Sequence, residues 1–149
     1  MPPSTDPHGA RILIVDDQPS SVRLLEHTLA RGGFVEVSST GDPCAVAALH
    51  LENRYALIIL DLQMPEMNGF EVMEELQRVA AAIPVAILVM SADATQKTAA
   101  LEGGATSFLE KPFVLADVVE RVTLMLETAR GEREDAGDDD SGEAREGGA

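Results

Sequence analysis

YALIILDLQMPEMNGFE, Tyr55 to Glu71, carries an apolar run, Ala56 to Leu60, that ends in one carboxylate, Asp61. The chain then turns through Pro65, Asn68 and Gly69 into a helical pattern in which Phe70, Met73, Leu76 and Val79 recur. A short continuous apolar run bounded by turn residues is the signature of a strand buried on both faces. An acid at the carboxyl end of such a strand stands where open α/β sheets place their ligands.

The same unit repeats outward in both directions. Towards the amino terminus, Arg11 to Val15 (RILIV) reads as a buried strand ending in Asp16 and Asp17. Pro19 and Ser20 open a helix, with Asp17 as its expected N-cap and Val22, Leu25 and Leu29 on its inner face. Gly32-Gly33 ends that helix, and Phe34 to Ser38 alternates apolar and polar, as a half-buried edge strand does. A second helix is expected after Gly41-Asp42-Pro43, turning Ala45, Ala48, Leu49 and Leu51 inward. Towards the carboxyl terminus, Ile83 to Met90 reads as a strand ending at Ser91, and Ala94 to Leu101 as a short helix stopped by Gly103-Gly104. Ser107 to Leu109 reads as a fifth strand before Lys111-Pro112. Val114 to Arg130 reads as a last helix with Val118, Val122, Met125 and Leu126 on its core side. Strand and helix alternating five times predict an α/β fold, a parallel sheet with helices on both faces.

Composition bounds the rest. The 149 residues fit one domain with room for a tail, and the 45% hydrophobic content is that of a globular chain. Residues 1–10 are Pro-rich and polar and are expected to form a flexible arm. Residues 11–130 make the domain. Residues 131–149 carry eight acids against Arg133 and Arg145 and too little apolar surface to offset ordering, so they are read as an acidic disordered tail, with the last helix extended by a turn at most. The formal net charge of -15 argues against a direct nucleic-acid surface, which needs Lys and Arg to neutralise phosphates. No apolar run approaches the roughly 18 residues of a membrane helix, and the first residues lack the pattern of a signal peptide, so a cytoplasmic location is expected. Cys44 is the only cysteine, which excludes an internal disulfide. His8, His27 and His50 do not group as a metal site and read as surface or helix residues.

In a parallel sheet all carboxyl ends point one way, so Asp16, Asp17, Asp61, Ser91 and Lys111 can converge. Singly, an acid after a strand is ordinarily a turn former or helix cap. Together they make a chemistry. Two carboxylates about 4 Å apart repel by roughly 4 kcal/mol at an effective dielectric near 20, and a hard divalent cation relieves that. Magnesium takes oxygen ligands and is commonly held by one or two carboxylates plus a phosphate. Two charges on the metal and one on Lys111 balance three acids, leaving a neutralised position for an incoming phosphoryl group. Carboxylates act as nucleophiles in phosphoryl transfer, forming aspartyl-phosphates.

On VDD (Val15 to Asp17), LDLQMPEMNG (Leu60 to Gly69), MSA (Met90 to Ala92) and EKPF (Glu110 to Phe113), in order and at matching spacing, residues 11–130 resemble the receiver domain of bacterial two-component response regulators, of the chemotaxis-regulator-like kind. The resemblance implies a flavodoxin-like, doubly wound five-stranded sheet of order 2-1-3-4-5. It implies Asp61 as phosphoacceptor, taking its phosphoryl group from a sensor histidine kinase or phosphotransfer protein. It implies Mg²⁺ held by Asp17, Asp61 and the backbone carbonyl of Gln63, with Asp16 acting through water. Ser91 and Lys111 would contact the phosphoryl oxygens, and Lys111-Pro112 would be cis. Phe108 stands where the family keeps its switch aromatic: the new oxygens would draw the Ser91 hydroxyl inward and Phe108 would rotate into the vacated space. The protein so implied is not an enzyme beyond its own phosphorylation and dephosphorylation, and it acts on a downstream protein target, with a phosphorylation-dependent homodimer allowed. Gln63 and Asp93 occupy positions that tune phosphoryl lifetime in the family. Serine in place of the commoner threonine at 91 keeps the hydroxyl, whereas phenylalanine in place of tyrosine at 108 loses a phenol.

Three rivals stand beside this reading. The chain can be the receiver portion of a longer regulator with an output domain. It can be a metal-dependent phosphatase of the haloacid-dehalogenase kind, but that family wants a second Asp two residues after the nucleophile, where Gln63 stands. A flavin-binding domain of the same fold would need a Gly/Ser/Thr-rich phosphate loop after the first strand, which Asp16-Asp17 do not supply.

Overall fold

A computed structural model describes residues 7–62 and 69–140. Five strands, β1 (Arg11–Val15), β2 (Glu36–Thr40), β3 (Leu57–Asp61), β4 (Ala86–Ser91) and β5 (Ser107–Glu110), form one sheet of order β2-β1-β3-β4-β5. Every neighbouring pair is parallel. Five α-helices connect and flank them: α1 (Pro19–Arg31), α2 (Val46–Asn53), α3 (Gly69–Ala80), α4 (Lys97–Glu102) and α5 (Leu115–Asp140).

The strand sequences sort the core into two layers. Successive side chains of a strand point to opposite faces. Ile12 and Ile14 of β1, Leu57 and Ile59 of β3, and Leu88 and Met90 of β4 share one face with Leu25 and Leu29 of α1 and Val118 and Val122 of α5. Leu13, Val15, Ile58, Leu60, Ile87 and Val89 share the other with Val46 of α2, Val72, Met73 and Leu76 of α3 and Ala100 of α4. A sheet covered on both sides needs apolar residues at every strand position, which is why the central strands read as unbroken runs.

The chain departs from the sequence expectations where that signal is weakest. The edge strand β2 lies two residues later than Phe34 to Ser38, because Arg11 of β1 pairs with Glu36 and Phe34 instead plugs the core beside α1. β4 begins at Ala86 rather than Ile83, past Pro84, which has no N–H to give a ladder. Helix α2 buries Val46 and His50, and Leu51, expected inside, faces outward. The N-cap of α1 is Gln18, not Asp17, and makes no side-chain cap bond. Asp16 Oδ1 takes the Gln18 N–H at 2.9 Å instead, with Pro19 in the first turn.

Regular structure reaches into part of the segments read as arm and tail. Residues 7–9 form a 3-10 turn rather than part of a flexible arm: the His8 ring lies 4.9 Å from that of Phe34, and Val35 N–H donates to His8 O at 3.3 Å. Gly33, at φ +96°, makes room, since a Cβ there would sit 3.0 Å from the imidazole. Helix α5 runs past Arg130 through residues 131–140, into the stretch read as a disordered tail. Extending a helix already formed needs no new nucleus, so this stretch continues it although Gly131, Gly137 and four aspartates are poor helix formers. Residues 1–6 of the arm and 141–149 of the tail lie outside the described residues. Among the described residues no helix is long and apolar enough to cross a membrane.

Candidate functional site

The strand order places the site. From β1 the chain passes through α1 to β2 on one side, then through α2 back across to β3 on the other. The connections therefore diverge between β1 and β3, and a crevice opens at their carboxyl ends. Val15 pairs with Leu60, so the residues that follow, Asp16 and Asp61, leave the sheet side by side. Ligand oxygens of Asp16, Asp17 and Asp61 all lie within 4.8 Å of one another. Asp16 and Asp61 are buried and Asp17 is exposed at the rim.

The register carries Ser91 and Lys111 to the same edge. Asp61 pairs with Met90, Ser91 with Glu110, and Lys111 N–H donates to Ser91 O at 2.8 Å. The Lys111 ammonium then reaches Asp61 Oδ2 at 3.3 Å. The Lys111-Pro112 bond is cis, as expected. Arg121 of α5 anchors β5 from below, donating to Ser107 Oγ at 2.7 Å and Phe108 O at 3.0 Å. All four expected side-chain groups, Asp16-Asp17, Asp61, Ser91 and Lys111, thus stand along one edge of the sheet. Gln63, whose carbonyl completed the expected metal set, lies outside the described residues.

Two members are enclosed by the fold. Phe108 is buried in the core cluster that also holds Val89, Ala100 and Ala105. Ser91 is buried with its hydroxyl engaged: it accepts from Asp93 N–H at 3.0 Å and donates to Gln96 Oε1 at 2.6 Å. Sequence reasoning missed Gln96, because a glutamine in a polar turn carries no pattern that separates it from solvated surface. It also missed the burial of His50, whose ring bonds the backbone of Tyr55 and Ile83.

Electrostatics mark the acid cluster as incomplete. Asp16 Oδ2 is buried and has no hydrogen-bond partner among the described residues. Burial lifts the Asp16 carboxyl above its ordinary value of 3.8; its bond from Gln18 N–H and the nearby Lys111 oppose the lift, while Asp61 and Asp17 add to it. An orphaned carboxylate oxygen beside two more acids is a hard-oxygen donor set, the kind a small divalent cation takes. The residues present therefore fit such an ion.

Stability should follow from this. A carboxyl with a raised pKa favours the folded state fully below its unfolded value and progressively less as pH rises through its folded value. Without divalent cation, stability should therefore fall as pH rises from near 4 through the raised Asp16 value. Asp16→Asn keeps the acceptor for Gln18 and turns the orphan into a donor facing acids. It should stabilise the cation-free protein by about 1 kcal/mol at pH 7 and flatten the pH dependence in urea titrations. A variant less stable than wild type without cation would overturn this account.

Comparison with known proteins agrees with the geometry. The family model described as the response regulator receiver domain matches residues 12–123. The transcriptional regulatory protein PrrA of Mycobacterium tuberculosis is 37% identical over 116 residues, covering 78% of this chain and 49% of that protein. The transcriptional regulatory protein SrrA of Staphylococcus aureus is 37% identical over 115 residues, covering 77% of this chain and 47% of the other. The chain thus spans about half the length of the curated relatives it matches. Among solved structures, the chemotaxis protein CheY4 of Vibrio cholerae superposes with a TM-score of 0.71 at 28% identity, covering 78% of this chain and 98% of that one.

Proposed function

This chain belongs to the response regulator receiver domain family, and we propose that it accepts a phosphoryl group on Asp61 from a phosphohistidine and uses it to switch a protein-interaction surface. The observation that carries the reading is the meeting of three carboxylates with one lysine at the β1–β3 divergence, with a buried carboxylate oxygen left unpartnered. An oxygen of Asp61 attacks phosphorus. The P–O bond forms as the P–N bond to the donor imidazole breaks, and the electron pair stays on the ring nitrogen. Lys111 offers the charge that pairs with the transferred group, and the Ser91 hydroxyl a proton for one of its oxygens. Asp16, Asp17 and Asp61 would hold Mg²⁺, which when bound neutralises the acids and the phosphoryl charge. Phosphorylation adds about 1.5 to 2 negative charges and three acceptor oxygens at the strand ends. Those oxygens compete for the Ser91 hydroxyl, whose other partner lies just ahead of α4, so α4 and the β5–α5 surface beside it are where a partner reads the state.

The relatives' length favours a second form of the same reading. PrrA and SrrA are transcriptional regulatory proteins about twice the length of the matched region, so this receiver can serve an output module that acts on transcription. The site chemistry is the same in either setting.

Incubation with acetyl phosphate and Mg²⁺ tests the reading. The expected product is a protein carrying one phosphoryl group, labile at alkaline pH as acyl phosphates are. Catalytic turnover of excess small phosphate ester would instead support a phosphatase. A phosphotransfer panel of histidine kinases from the same organism would identify the donor.

A further inference from the structure

Ser91 has one proton to give. A hydroxyl is a single donor with two lone pairs. In this structure Asp93 N–H fills a lone pair at 3.0 Å, and the proton goes to Gln96 Oε1 at 2.6 Å. Oxygens of a phosphoryl group on Asp61 are acceptors only, so they need that same proton. Gln96 and the phosphoryl group therefore compete for it. Ser91 is 1% exposed, which leaves no bulk water to substitute for either acceptor.

Gln96 is built to hold this position. Asp93 caps the 3-10 turn Ala94–Gln96 by accepting from Thr95 N–H at 3.0 Å, and Gln96 N–H donates to Asp93 O at 3.1 Å. The turn returns the Gln96 side chain towards the end of β4. Gln96 is also the N-cap residue of α4, yet its side chain makes no capping bond. Its amide is committed to Ser91 rather than to the helix it precedes.

We propose that Gln96 is a positioning residue that withholds the Ser91 proton and so limits how readily Asp61 is phosphorylated; the inference rests on Asp61 being the phosphoacceptor. The competent state is the one in which the hydroxyl has left Gln96, and the observed rate scales with the population of that state. The same release frees the residue at the entrance of α4, which links phosphorylation to the start of that helix.

The test is a double-mutant cycle on labelling rates with acetyl phosphate and Mg²⁺. Gln96→Met keeps side-chain length and helix compatibility but removes the strong acceptor. It should raise the labelling rate about threefold to tenfold, the worth of one neutral hydrogen bond. In a Ser91→Ala background the same change should leave the rate unaltered, because there is no proton left to release. A purely structural effect of position 96 would act equally in both backgrounds. No acceleration with Ser91 present, or the same acceleration without it, overturns the proposal. Wild-type labelling that Asp61→Asn removes keeps the phosphoacceptor reading standing through either result, whereas absence of wild-type labelling removes that reading and this one with it.

Discussion

Asp61→Asn yields a folded protein that takes no phosphoryl group from acetyl phosphate. The amide is nearly isosteric with the carboxylate, and its oxygen still accepts from Lys111, 3.3 Å from Asp61 Oδ2 in the wild type. What it lacks is the anionic oxygen that attacks phosphorus, and a neutral amide does not replace it. The expected loss is complete within the sensitivity of mass spectrometry, at wild-type circular dichroism. The fold should not suffer, because the substitution removes one of three acids whose ligand atoms lie within 4.8 Å of one another. Chelating divalent cation should suppress labelling of the wild type by a separate route: the nucleophile stays, but the charge around it is no longer balanced. The two arms read different parts of one site. Persistent labelling of the Asn variant would move the phosphoacceptor to another residue, with Asp17, the exposed acid of the cluster, the first to examine.

That site was legible in the sequence because its parts hang on the most legible elements. β1, β3 and β4 are covered on both faces, so their residues form the unbroken runs ILIV, LIIL and ILVM, and the polar residue that ends each run is conspicuous. Parallel topology then carries those endings to one edge. Legibility fails where packing, not pattern, decides. β2 at the sheet edge is only partly covered, and its register is set by β1 rather than by its own alternation. Helix α2 is rich in alanine and leucine around its whole circumference, so several inward faces fit the sequence, and the one adopted buries a histidine. Gln96 is the limiting case. Its significance is a distance to one hydroxyl, and no periodicity encodes that. The chemistry of the acids is a property of residue type and strand end, whereas the device restraining Ser91 is a property of one turn's path.

His50 shows what the pattern hides and gives the largest expected loss of stability. Its side chain is wholly buried between α2 and the segment leading into β4. Tyr55 N–H donates to Nδ1 at 3.1 Å, which fixes Nδ1 as the acceptor and leaves the proton on Nε2, 2.9 Å from Ile83 O. One imidazole thus satisfies a donor at the start of β3's approach and an acceptor ahead of β4, and the Tyr55 ring stacks beside it at 6.2 Å. His50→Phe fills similar space but strands the buried Tyr55 N–H and takes the partner from the half-buried Ile83 carbonyl. Each stranded group costs about 1–3 kcal/mol, so the variant should lose about 3 kcal/mol, a melting shift of roughly 10 °C for a domain of this size. His50→Gln keeps a donor at the reach of Nε2 and loses the Nδ1 acceptor, so it should lose about half as much. His27→Phe, on the exposed face of α1, should change stability by less than about 0.5 kcal/mol. Urea titrations of the three variants separate the cases. If His50→Phe matches His27→Phe, the two backbone groups find other partners and His50 is only filling space. If the graded order holds, a histidine that looks like helix surface in the sequence is the polar tie that fixes α2 against the two central strands, and with them the spacing of the strand ends that carry Asp61 and Ser91.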